Sequence, residues 1–209
     1  MKGVVVSGGS KVNPEILKEY TTDAYIVCCD GGIKNFYNST ILPNIIVGDF
    51  DSIDEKGKKF IEEKNIEKRV YNPIKNFTDT EAAIDIVLDM NFSEIIILGA
   101  SGTRMDHTLA NIFLLQKLFG KTRAKMVDNH NIIEYVEKGE YFFKKDRHGY
   151  ISVVAISKEI VYSTDGMKYE ADELKISTSE IRGVSNEIKG DTAKITVHEG
   201  RGFIIRSID

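Results

Sequence analysis

Up to residue 129 the chain alternates short apolar runs with stretches whose apolar residues recur at helical spacing. Gly3 to Ser7, Ala24 to Cys29, Asn44 to Val47, Glu94 to Leu98 and Lys125 to Val127 read as strands. Between them, Asn13-Pro14-Glu15 opens a helix, with Asn13 as N-cap and Pro14 at the first position. Ile33 to Tyr37 reads as a short helix started by a double glycine, and Asp54 to Lys64 as a charged amphipathic one. Thr78 to Met90 places Ala82, Ile84, Ile86, Val87 and Met90 on one inward face. Asp106 to Phe119 carries a core stripe at Leu109, Ile112, Phe113, Leu115 and Leu118. Strands alternating with helices predict a βαβ series and a mostly parallel sheet.

From Asn131 the helical period disappears. Ile132–Val136, Tyr141–Phe143, Tyr150–Ile156, Ile160–Tyr162, Leu174–Ile176, Ala193–Val197 and Phe203–Ile205 are β-rich, with glycines such as Gly139, Gly149 and Gly166 between them. Short strands separated by turns predict an antiparallel sandwich. The expected fold is therefore α/β: an N-terminal mostly parallel sheet flanked by helices over residues 1–129, then a C-terminal all-β sandwich over residues 130–209. No repeat and no low-complexity linker separates the two.

Composition narrows the function classes. With 42% hydrophobic and 29% charged residues, the 209-residue chain has enough apolar content for packed cores. The net charge of −4, with scattered Lys and Arg, argues against a nucleic-acid partner. No apolar segment approaches the ~20 residues that span a bilayer, and Met1-Lys2 leads straight into a strand pattern rather than a leader. The two cysteines, Cys28 and Cys29, are adjacent in a strand and read as small buried hydrophobes. The expectation is a cytoplasmic protein with no membrane partner.

Chemistry concentrates at the ends of the apolar runs. Ile45-Ile46-Val47 leads into Gly48-Asp49-Phe50-Asp51-Ser52, where an extended backbone would put both carboxylates on one face. Asp30-Gly31-Gly32 ends the second strand, Lys75-Asn76-Phe77-Thr78-Asp79 precedes a helix, and Gly99-Ala100-Ser101-Gly102-Thr103-Arg104-Met105-Asp106-His107 follows another strand. In open α/β sheets this edge binds ligands. Carboxylates gathered there repel one another unless a cation offsets them. Mg²⁺ fits, since it takes one or two carboxylates and leaves its other positions to water and phosphates. Glycine turns and helix N-termini offer N–H groups to phosphate oxygens, and Arg104 and Lys75 supply cations. A nucleoside triphosphate is the ligand that accounts best for this set. Neither a Gly-x-x-x-x-Gly-Lys-Ser/Thr loop nor a Gly-x-Gly-x-x-Gly fingerprint is present. His107 is placed to bond a phosphate or to cap a helix, while His130, His148 and His198 read as structural or exposed.

Taken in order, Asp30-Gly31-Gly32, Gly48-Asp49-Phe50-Asp51-Ser52, Pro73-x-Lys75-x-x-Thr78-Asp79 and Gly99-x-x-Gly102-x-Arg104-x-Asp106-His107 resemble the thiamine pyrophosphokinase family. Gly183-Val184-Ser185-Asn186 resembles the family's vitamin-binding element. The resemblance implies an ATP-binding catalytic first half, a thiamine-binding and dimerising second half, and a homodimer with active sites between subunits. It implies transfer of a diphosphoryl group from ATP to thiamine, giving AMP and thiamine diphosphate. It gives Mg²⁺ to Asp49, Asp51 and Asp79, with Asp30 close by. The polyphosphate falls to Arg104 and Lys75, and further ATP contacts to Gly31, Thr78, Ser101, Gly102 and His107. Asp106, or else Asp79, orients or deprotonates the thiamine hydroxyl, and Ser185 and Asn186 touch the pyrimidine. Two departures stand out: Thr103 occupies a position where many relatives carry glycine, and the chain has no Trp to stack on the vitamin. No replacement is assigned: Phe203 and Tyr169 are the aromatic residues considered, and each reads as core or surface rather than as a stacking platform. The rival reading is a related diphosphokinase acting on a hydroxymethyl pterin or similar heterocycle. A nucleotide- or vitamin-sensing module without turnover is a further rival, and a poorer match to a cluster of carboxylates with Arg and Lys.

Overall fold

A computed structural model describes residues 1–72 and 76–209. The strands are β1 (Lys2–Val6), β2 (Ala24–Cys29), β3 (Ile45–Gly48), β4 (Glu67–Val70), β5 (Glu94–Leu98), β6 (Arg123–Val127), β7 (Asn131–Val136), β8 (Gly139–Lys144), β9 (Tyr150–Asp165), β10 (Leu174–Ser177) and β11 (Thr192–Ser207). The α-helices are α1 (Pro14–Thr21), α2 (Glu55–Glu63), α3 (Asp79–Asp89) and α4 (Met105–Leu118), with a 3₁₀ turn at Asp30–Asn35. The chain divides into two compact units, Met1–Asn129 and His130–Asp209.

In the first unit the strands run in the order β6-β5-β1-β2-β3-β4, every pair parallel. The central strands β1, β3 and β5 are almost wholly buried, as continuous Val/Ile runs in a parallel sheet require. The order reverses at β1, between β2 and β5, so the crevice lies beyond the carboxyl ends of these strands. Pro14 starts α1, but Asn13 makes no side-chain cap; its N–H donates to Asn129 instead. Asp54 and Thr78 do cap, accepting from the N–H groups of Gly57 and Glu81. In place of a helix from Ile33, a 3₁₀ turn starts at Asp30, three residues earlier, and takes in the double glycine.

Two inward faces differ from the expected ones. On α3 the buried set is Thr80, Ala82, Ala83, Ile84 and Val87, while Met90 is 45% exposed because the helix has ended at Asp89. On α4 the buried residues are Thr108, Asn111, Leu115 and Leu118, so Leu109 and Phe113 are exposed. The polar pair Thr108 and Asn111 wins the inward positions because both side chains bond the loop above the sheet, as described below. The edge strand β4, Glu67–Val70, is exposed along its length, so it lacks the apolar pattern that marks a strand in sequence.

In the second unit β9 pairs antiparallel with both β10 and β11, and β11 also pairs with β7 and β8. Four expected strands are in fact two. Tyr150–Ile156 and Ile160–Tyr162 join as β9, and Ala193–Val197 and Phe203–Ile205 join as β11. Register shifts at Val197/Glu199 and Gly200/Gly202 bend the pair, so glycines that read as turns lie inside strands. The first half of β11 carries β8 and its second half carries β7. Residues from both halves, among them Val136, Phe143, Ile160, Ile195 and Ile204, share one apolar cluster. That shared cluster makes the unit a two-layered β structure.

Candidate active site

The crevice of the first unit is a cleft of about 620 Å³. Its wall comes from the ends of β1, β2 and β5 and the starts of α3 and α4. At the end of β1, Gly9 and Ser10 donate N–H bonds to the carbonyls of Gly99 (2.8 Å) and Ser101 (2.7 Å). A Cβ on Gly9 would stand 2.3 Å from the Ser101 carbonyl, so only glycine lets these two loops meet. Below them Ser7 and Thr80 share a buried 2.8 Å hydroxyl bond that ties β1 to α3. Asn111 donates to the Ala100 carbonyl at 2.8 Å, and the Thr108 hydroxyl accepts from Gly102 N–H at 3.1 Å and donates to the Arg104 carbonyl at 3.1 Å. The floor is therefore preformed by polar side chains on helices.

The acidic residues meet at one end. Ligand oxygens of Asp30, Asp49 and Asp79 lie within 4.8 Å of one another. Asp30 is 6% exposed and adopts a positive φ of 28° at the start of the 3₁₀ turn. Ser52 donates to its Oδ2, while its Oδ1 is buried with no hydrogen-bond partner among the described residues. Gly48, at φ 152°, is what admits it: a Cβ there would lie 3.0 Å from the Asp30 Cβ. Burial pushes the Asp30 carboxyl above its usual range, with Asp49 and Asp79 adding to the rise and Ser52 opposing it. An orphaned buried oxygen facing two more carboxylates is the donor set a hard divalent cation needs. Among the described residues, this trio fits Mg²⁺.

Asp51 lies beside this trio, not within it. Phe50 has a φ of 63°, so the segment is not extended and the alternating-face argument does not hold there. Instead the turn folds back, the Asp51 N–H donates to Asp49 Oδ1 at 3.2 Å, and Asp51 is exposed. The adjoining Asp49 carboxyl, by hydrogen bond and by charge, raises the Asp51 pKa.

Arg104 lines the cleft and makes a two-point ion pair with Asp106, at 2.6 and 3.2 Å. The guanidinium holds the Asp106 carboxyl down at about 2. A carboxyl held that low is a weak base near neutrality, and both partners of the pair are exposed. Gly31, Thr78, Ser101, Gly102 and His107 all line the cleft, and the Ser101 hydroxyl donates to Asp128 at 2.9 Å. Lys75 lies outside the described residues. Cys29 also lines the cleft, its thiol pushed up to about 12, chiefly by burial, so it stays neutral. Two contributors escape a reading of the sequence. Gly8-Gly9-Ser10 reads as a plain turn, and Lys34 as a helix residue, yet both line the cleft. The signal for the first was its place after an apolar strand.

In the second unit Ser185 is exposed at φ 59°, and its N–H donates to the Ser152 hydroxyl. The Asn186 amide donates to the Tyr169 carbonyl at 2.7 Å and accepts from the Tyr169 N–H at 3.0 Å. Asn186 thus fixes the backbone of Tyr169, whose ring is 63% exposed with the Lys168 ammonium 5.6 Å from its centroid. Phe203 is buried against Tyr135 and presents no free surface.

Fold and site together define a phosphate-handling α/β transferase with an all-β second unit. Residues 17–127 match the model of the thiamin pyrophosphokinase catalytic domain, and residues 136–203 match that of its vitamin B1 binding domain. The chain belongs to the thiamine pyrophosphokinase family. It is 34% identical over 169 residues to the thiamine pyrophosphokinase of Bacillus subtilis strain 168, covering 79% of each chain. The crystal structure of thiamine pyrophosphokinase from Bacillus subtilis superposes with a TM-score of 0.92 at 30% identity, over 100% of both chains. That from Geobacillus thermodenitrificans gives 0.88 at 28% identity, over 100% of this chain and 98% of the other.

Proposed function

We propose that the chain transfers a diphosphoryl group from ATP to the hydroxyl of thiamine, releasing AMP and thiamine diphosphate. The observation that carries this reading is the convergence of Asp30, Asp49 and Asp79 in a preformed cleft, in a chain whose second half matches a vitamin B1 binding domain. Asp30, Asp49 and Asp79 would hold Mg²⁺, and Asp51, beside them across the Phe50 turn, would complete the set once the ion draws it in. An ion bound there would offset the charge that builds on the phosphate oxygens during transfer. Arg104, oriented by Asp106, clamps the polyphosphate, with Lys75 as a second cation. The glycine turns at Gly31 and Gly102 and the helix start at Thr78 supply N–H donors, while Ser101 and His107 contribute side-chain bonds.

An alcohol attacking a loose, metaphosphate-like phosphorus needs little help from a base. With Asp106 held by Arg104, Asp79, which lines the cleft, is the member of that pair left to orient the hydroxyl. Ser185 bonds the pyrimidine, and Asn186 acts through Tyr169, which offers the aromatic surface that Trp would otherwise provide. We place thiamine from one protomer against ATP from the other, in a cytoplasmic homodimer.

Incubation with ATP, Mg²⁺ and thiamine, followed by chromatography of the products, tests this. AMP and thiamine diphosphate in equal amounts are expected. AMP formed only when a hydroxymethyl pterin replaces thiamine would transfer the reading to a pterin diphosphokinase, and no product with either would reduce the chain to a binding protein.

A further inference from the structure

A second cavity of about 230 Å³ opens between the segment that enters α1 and the 3₁₀ turn, within the first unit. Lys11, Lys18 and Lys34 line it, and no acidic side chain does. That is unusual in a chain holding 32 Asp and Glu against 28 Lys and Arg. Among the described residues none of the three lysines forms an ion pair. Asp54 feels the Lys34 charge, but its Oδ1 already accepts from Gly57 N–H and the Tyr37 hydroxyl.

The walls are built before any ligand arrives. Asn35 accepts from the Val12 N–H at 2.9 Å and donates to the Gly32 carbonyl at 3.0 Å, which pins the two segments together. Ser39 accepts from the Ile41 N–H at 3.0 Å, leaving its own O–H free to donate into the cavity it lines. Thr40 and Asn38 add further donors to the lining. A pocket with one sign of charge and low-dielectric walls focuses its field on an incoming ion. Its volume lies below the 300–1,000 Å³ of drug-sized sites, which selects a compact anion.

We propose that this groove is a second anion site, distinct from the transfer site, which takes the dianion of a phosphate monoester or inorganic phosphate. Lys34 lines both the groove and the catalytic cleft. A phosphate in the groove draws that flexible ammonium away from the cleft, so occupancy weakens binding of the triphosphate and leaves the transfer step itself unchanged.

The test is titration of inorganic phosphate, and separately of AMP, into the full chain by calorimetry without Mg²⁺, for the wild type and for Lys11→Ala/Lys18→Ala. Phosphate binding that weakens roughly fivefold to tenfold in the double variant is expected, the size set by losing two charge-assisted contacts. AMP that loses the same factor assigns the groove to the nucleotide's phosphate as well; AMP that keeps its affinity confines the groove to free phosphate. Phosphate affinity unchanged in a variant of unaltered melting temperature, or no binding by the wild type, would overturn the proposal. In assays of turnover, phosphate should raise the apparent KM for ATP severalfold with kcat constant, and the double variant should lose that response. Phosphate competing inside the catalytic cleft would inhibit both proteins equally, and that result also refutes the second site.

Discussion

Asp30 shows how one residue is placed at a cost in stability. Its carboxyl is buried, half-satisfied and faced by Asp49 and Asp79, so its pKa is raised. A carboxyl with a raised folded value binds its proton more tightly in the folded than in the unfolded state. Its penalty is therefore absent below the ordinary carboxylate range and grows as pH rises through the raised value. Asp30→Asn should melt about 2–4 °C higher than the wild type at pH 7 without Mg²⁺, and the gap should close near pH 4. Calorimetry across that range checks it, and Mg²⁺ should reverse the order by stabilising only the wild type. Asp51, exposed beside Asp49, makes a cleaner test of the acidic cluster. Asp51→Ala should fold normally, with an unchanged melting temperature, and lose roughly 10²–10³ in kcat, as expected when a ligand of the charge-offsetting ion is removed. Full activity in that variant would remove Asp51 from the metal set.

At the scale of elements, burial follows the partners each helix meets more closely than it follows the pattern of its residues. Ile84 is fully buried on α3, whereas Met90 lies just past the helix end. Ile84→Ala should cost about 2–5 kcal/mol in chemical denaturation, and Met90→Ala less than about 1 kcal/mol. A similar loss for both would mean that Met90 packs against something the single chain does not contain. Lys117 on α4 bridges Glu81 (3.1 Å) and Asp85 (2.6 Å) on α3, tying together the helices whose N-terminal ends carry Asp79 and Arg104. The β1, β3 and β5 runs were readable because a parallel sheet covered on both faces demands unbroken Val and Ile. Edge strand β4 and the two bulged long strands were not. The first has no buried face, and the others continue through glycines that the local pattern reads as stops.

At the scale of the molecule, the proposed homodimer divides each active site between protomers. Subunit exchange between Asp51→Ala and Tyr169→Ala chains separates the possibilities. Each protein alone should be nearly inactive. A statistical mixture should regain about a quarter of wild-type activity, because half the dimers are mixed and each then assembles one intact site. No recovery would mean that each chain completes its own site, and full activity of the Tyr169→Ala chain alone would mean that Tyr169 takes no part.

Local spacing alone determined that strands alternate with helices and then give way to β structure near residue 130. It also placed aspartates at the strand ends, where parallel topology opens a crevice. The tertiary structure alone decided which of them meet. The Phe50 turn put Asp51 beside Asp49 across the turn, and the close approach at Gly48 brought Asp30 against Asp49 and Asp79. It also gave Asn186 to the Tyr169 backbone and Thr108 and Asn111 to the cleft floor. The reason is that sequence periodicity reports which face a residue takes on its own element, while a site is made by contacts between elements distant in sequence. Those contacts depend on positive-φ turns and glycine close approaches, which leave little trace in the pattern of hydrophobic and polar positions.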